Sequence, residues 1–244
     1  MKALPTTVAM GVIVLVIGLA PHLAATIHAE RSLRADGERL YYPDGPLLAH
    51  ASLGFRAPVA DYTWLQAVQY YGGYCRGEND LRYFTGLVDA VVTLDPRFSE
   101  AYYFASLVQS LGHGDHDGAI ELLKRGILAN PTDWRLPFNI GFIHYVFLRE
   151  YQAAAGWFAA AAALPGATDF CQRFAAFSRS RAGDLEGSLL LWDNLRRTTR
   201  SPEMRELAER MLEQCRLGLQ GAPRAGFVGP PAPPAGAAAA KELL

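Results

Sequence analysis

The chain of 244 residues is half hydrophobic and carries a formal net charge of -1, so it has no overall positive field that would hold nucleic acid. Its three cysteines, Cys75, Cys171 and Cys215, are odd in number, widely spaced and without a CxxC pair, which argues against a disulfide framework and against a cysteine metal site. They read as small apolar residues of helices, and with strand-like runs scarce the composition points to an all-α protein.

From Ala3 to Ala29 there are 27 residues without Asp, Glu, Lys or Arg, densest at VAMGVIVLVIGLA. About 20 apolar residues in a helix cross a bilayer core. Residues 1–29 are therefore expected to be a transmembrane signal-anchor segment, with residues 3–27 in the membrane. The competing reading is a signal peptide cut after Ala25 or Ala29, although neither position offers a clean A-x-A site. Arg31, Arg34 and Arg39 beyond the run favour a cytoplasmic C-terminal part by charge count, whereas the short positive start at Met1-Lys2 is how an exporting signal begins. The expectation taken forward is a single pass through the inner membrane with the remainder on the extracytoplasmic side.

Residues 30–60 read as a connector, in which YPDGP is a turn signal, Pro58 marks a further break, and LLAHASLGF is apolar enough to pack on the first helix that follows. From Asp61 apolar residues recur at helical spacing, and breakers divide the run into helix pairs. DYTWLQAVQYYGGY with DLRYFTGLVDAVVTLDP forms the first pair and SEAYYFASLVQSLG with DGAIELLKRGILANP the second. Residues 130–166 form the third, and TDFCQRFAAFSRSRAGDLEGSLLLWDNLRR the fourth. The first three pairs close on Pro96, Pro131 and Pro165, spaced 35 and then 34 residues apart. SPEMRELAERMLEQCRLGL adds an amphipathic helix with Met204, Leu207, Met211 and Cys215 on one stripe, suited to cap an apolar end. Residues 220–244, rich in Pro, Ala and Gly, are expected to be disordered.

This period and pattern resemble the tetratricopeptide repeat, W-x2-L-G-x2-Y, A-x3-F, P. In the third pair Ile140-Gly141 stands at the Leu-Gly position, His144 at the Tyr, Ala153 and Trp157 at A-x3-F, Ala160 at the second small site, and Pro165 at the closing proline. The second pair matches through Ala119, Leu123, Gly126 and Pro131 with one residue inserted in its turn, the first through Trp64, Tyr71 and Pro96, and the fourth through Gly183-Asp184 and Trp192. The resemblance covers residues 61–219 and implies a tetratricopeptide-like α-solenoid of about four helix pairs with a capping helix, preceded by a transmembrane helix. With its lead-in YYPDG and SLGF, the layout is also similar to bacterial envelope tetratricopeptide proteins of unassigned role. A small residue in such a pattern lets two helices approach, and an aromatic ring from the neighbour fills the space.

The resemblance implies a concave groove lined from the first helices: Tyr62, Leu65 and Gln69; Tyr103, Leu107 and Ser110; Arg135, Phe138, Phe142 and Tyr145; and Gln172 and Arg179. Such a groove suits an apolar-anchored peptide or helix of a partner protein, while the same aromatics also suit a core or a surface covered by the connector or the tail. GHGDHDG holds His113, Asp115, His116 and Asp117, which serve a turn and its cap, with Asp117 placed to cap a helix starting at Gly118; without a second cluster they make a poor metal site. No GxSxG, P-loop, GxGxxG or HExxH is present, so no catalytic role, cofactor or small-molecule substrate is expected. The functional expectation is a membrane-tethered scaffold or assembly factor that binds a protein partner. A stoichiometric structural subunit of a membrane complex is the alternative.

Overall fold

The computed structural model of the chain describes residues 44–220, all within one compact unit of the chain. Among them are ten α-helices and no strand: α1 (Gly45–Ala51), α2 (Arg56–Cys75), α3 (Phe84–Leu94), α4 (Ser99–Val108), α5 (His116–Ala129), α6 (Arg135–Ile143), α7 (Tyr151–Ala162), α8 (Asp169–Arg181), α9 (Leu185–Thr198) and α10 (Pro202–Leu219). The expected membrane segment, the first part of the connector and almost all of the expected tail lie outside the described residues. Within those residues no helix is long and apolar enough to cross a membrane.

Local signals set the ends of these helices. Asp44, Asp115, Asp184 and Ser201 each accept a hydrogen bond from a backbone N–H three residues on, at 2.8 to 3.1 Å, which satisfies a donor the first turn leaves free. Asp115, not Asp117, caps α5, which therefore begins at His116. The first helices of the second and third pairs extend through π-helical turns, Gln109–His113 and His144–Leu148, each closed by a left-handed residue whose N–H reaches back five residues. That residue is Gly114 in one and Arg149 in the other, and the turn after α8 uses Gly183 in the same conformation. Arg149, at φ 57°, alone of the three carries a side chain there, so Arg149→Gly is expected to stabilise the fold by about 1 kcal/mol, read as a rise in the urea midpoint.

Successive helices pack on one another from α2 to α10, and the first helix α4 also meets α6. The second helix of each pair buries a triplet at the same register: Phe84, Val88 and Val91; Ala119, Leu123 and Gly126; Ala154, Phe158 and Ala161; Ser188, Trp192 and Leu195. Two close approaches explain the small residues: a Cβ on Gly141 would lie 2.8 Å from the Phe158 ring, and one on Gly126 would lie 2.8 Å from the Tyr102 ring. In the third pair the buried stripe runs one residue later than the repeat pattern predicts, because Ala154, Phe158 and Ala161 are buried while Ala160 is exposed and Ala153 and Trp157 are half-buried. The extra residue is taken up around the π-helical turn that precedes α7, as in the second pair.

Polar bonds also tie the first pair to the second. Arg125 pairs with Asp89 at 3.1 Å, and Asn130 donates to the Pro96 carbonyl at 3.3 Å. α1 corrects the expectation for the connector: it packs on α3, where Gly45 sits against Thr93 so closely that a Cβ would approach to 2.6 Å. The connector also ends earlier than expected, since α2 starts at Arg56 and takes Pro58 into its first turn, where no backbone donor is required.

At the far end, α10 buries Ala208, Met211, Leu212 and Cys215 against Phe177, Trp192 and Leu195, with Met204 and Leu207 half-buried beside them. Cys171 and Cys215 are buried, and burial pushes both thiols up, whereas Cys75 is exposed at the end of α2. An aqueous maleimide is accordingly expected to modify Cys75 alone in the native chain and all three thiols in urea, as read by intact mass.

Candidate interaction face

The residues expected to line a groove divide into three groups. Tyr62, Leu65 and Gln69 are exposed along α2, Tyr62 at 60% and Leu65 at 50%. Tyr103 is 37% exposed on α4, and Leu107, Phe138, Phe142 and Gln172 are half-buried. Tyr145 and Ser110, at 5% and 3%, are core residues. The Tyr145 ring is packed among Tyr151, Phe158 and Phe174 with centroids 5.4 to 6.4 Å away, and the Arg181 guanidinium lies 5.7 Å over it. Tyr145 thus meets the same two rings, Phe158 of α7 and Phe174 of α8, that Phe138 meets two turns earlier.

Two expected contact residues are committed within the fold. Arg135 binds Asp133 through Nε and Nη2 at 3.0 and 2.8 Å, Glu100 through Nη1 at 2.6 Å, and Ser99 at 3.1 Å. It is thus a clamp from α6 to the start of α4, and its hydrogen bonds hold the Asp133 carboxyl below the usual range. Arg179 bonds Asp184 at 2.7 Å across the turn it precedes; the Gly187 N–H and Arg179 together hold that carboxyl low.

What the first helices bring together is a run of rings. Phe138 stands 6.0 Å from Trp134, 5.0 Å from Phe158, 5.4 Å from Phe170 and 5.7 Å from Phe174. Phe170 keeps 39% of its surface exposed, and Arg173 lies over its ring at 4.5 Å and over Phe174 at 5.6 Å. Burial lowers the pKa of Arg173. Phe170 and Arg173 were missed by the repeat pattern, which takes Gln172 and Arg179 from this helix; the run FCQRF, with rings four residues apart around a basic residue, carried the signal. Phe142 meets Phe147, and Phe147 in turn stacks on His116 at 4.8 Å, so His116 joins α5 to the turn after α6.

Among the described residues no group of three or more His, Cys, Asp or Glu side chains is placed to hold a metal ion. The face is an aromatic surface with one arginine lid, a chemistry of contact and burial. No family model matches the sequence, and no curated protein matches it either.

Proposed function

We propose that the chain is a membrane-tethered protein of the tetratricopeptide-like kind, whose stacked helix pairs form a short α-solenoid and whose first-helix face binds a partner protein. The repeat reading is supported by the four buried triplets at a common register, by rings seated on Gly141 and Gly126, and by polar bonds that join the first pair to the second and the second to the third. The observation that carries the binding role is the partial exposure of aromatic side chains on successive first helices, Tyr103 on α4, Phe138 on α6 and Phe170 on α8, while the second helices bury their triplets completely. An aromatic surface of this kind fits a helix or extended segment anchored by apolar side chains. The uncharged run at residues 3–27 supplies the tether, and the inner membrane with an extracytoplasmic repeat domain is its proposed location.

Affinity purification of the full chain from its native membranes tests this. Tyr103→Asp with Phe170→Asp, both at partly exposed sites, is expected to keep the helical circular dichroism signal and lose a partner that the wild-type chain retains. Retention of every copurifying protein by the folded double variant would remove the binding role. A partner in fixed ratio that resists both moderate salt and the double variant would favour the second reading, a structural subunit of a membrane complex.

A further inference from the structure

We propose that the exposed stripe on α2 rests on a lipid bilayer surface, with Phe55, Pro58, Tyr62 and Leu65 set at the boundary between headgroups and acyl chains; this deepens the reading of residues 3–27 as a membrane segment. Phe55 precedes the first turn of α2, and the four residues follow one another at spacings of three, four and three, which puts them on one face of the helix. Phe55 is 70% exposed, Tyr62 60% and Leu65 50%, and Leu53 beside them reaches 86%. Single exposed apolar residues are ordinary on a protein surface, but a continuous aromatic and aliphatic stripe implies a covered face.

The pattern along the helix selects the occupant. Beyond Leu65 apolar exposure on α2 falls away, to 38% at Val68 and 37% at Tyr74, while the stripe itself passes through exposed Gln69 towards Arg76, which is paired with Glu78 at 2.6 Å. A second copy or a partner helix laid along α2 would seek apolar contact over its whole length. A helix whose apolar exposure is heaviest in its first turns and declines along its length matches an interface entered at one end. Phe, Leu and Tyr are the residues of that boundary, Tyr because its ring is apolar and its hydroxyl stays wet. At the opposite end the outer face of α10 carries Arg205, Glu206, Glu209, Arg210 and Glu213, all exposed, and its exposed apolar residues are two leucines of the last turn, Leu217 and Leu219, with no aromatic ring among them. The apolar face thus belongs to the end that follows the uncharged run, which ends at Ala29 and is itself followed by Tyr41-Tyr42.

The test uses the full chain in vesicles of phosphatidylcholine and phosphatidylglycerol. In a Cys75→Ser background, with the two other cysteines buried, a bimane label is attached at Phe55→Cys, Leu65→Cys or, as a distant control, Leu190→Cys, where the native leucine is 69% exposed. Vesicles with brominated acyl chains are expected to reduce emission at 55 and 65 by about half and to leave 190 unchanged, because bromine quenches only on contact. Chain that floats with the vesicles but shows no quenching at 55 and 65 overturns the proposal while leaving the membrane segment standing. Chain that does not float overturns the membrane reading itself, and the proposal with it.

Discussion

Trp192→Ala is expected to destabilise the chain by about 3–5 kcal/mol, a large share of the stability of an ordinary domain. Trp192 is fully buried on α9, edge-on to Phe177 of α8 at 4.9 Å, and belongs to the cluster that docks α10 through Ala208, Met211, Leu212 and Cys215. Truncation removes a ring that three helices share and leaves a cavity they cannot fill. Because this cluster is confined to α8, α9 and α10, the loss should be local at first. Amides of α9 and α10 are expected to exchange faster than those of α4 and α5 under native conditions; equal acceleration throughout would refute that confinement. Trp192→Phe should cost much less, about 1–2 kcal/mol, because it also removes an indole N–H that finds no acceptor in the protein.

Gly141→Val is the second large effect, a loss of about 2–3 kcal/mol measured by urea unfolding. The first added carbon would lie 2.8 Å from Cδ1 and 2.9 Å from Cε1 of Phe158, inside van der Waals contact with a ring that is itself fully buried. The ring cannot retreat, since Phe138 stands 5.0 Å and Phe174 5.3 Å from it. If this approach is the cause, Phe158→Leu should recover part of the loss when combined with Gly141→Val, so the double variant is more stable than the sum of its single effects requires. Strict additivity would mean that Gly141 is needed for some reason other than the ring.

Helix existence was legible from the chain because each element announces itself locally. Apolar residues repeat at helical spacing, Asp or Ser stands before several first turns, and Pro96, Pro131 and Pro165 punctuate the pairs. Phase was less legible. In YQAAAGWFAAAA alanine stands on every side of the helix, so periodicity carries no information about which side is buried, and the closing proline anchored the register one residue early. The docking of α1 on α3 depends on a contact between Gly45 and Thr93, far apart in sequence, that no local pattern encodes.

The candidate face was legible in outline for a related reason. Tyr103, Phe138 and Phe142 are implied by the repeat resemblance, and all three keep some exposure. Tyr145, expected beside them, is buried instead, enclosed by Tyr151, Phe158 and Phe174, two of which belong to the following helix α7 and one to α8. Arg135 is placed at the groove by the repeat resemblance, although Asp133, which it binds through two nitrogens, stands only two residues before it. Its other partners, Glu100 and Ser99, lie 35 and 36 residues earlier, where the packing of α6 beside α4 brings them within reach.

α8 presents Phe174 to the rings of α6 and α7, and Phe177 to Trp192 of α9. During synthesis the first of these surfaces is satisfied as soon as α8 emerges, but the second has no partner until α9 and α10 have followed. That is roughly forty residues, a delay of about 2–8 s at ordinary translation speeds. For that interval the nascent chain holds an uncovered apolar strip at its growing end, and chaperones or a premature stop would act there first.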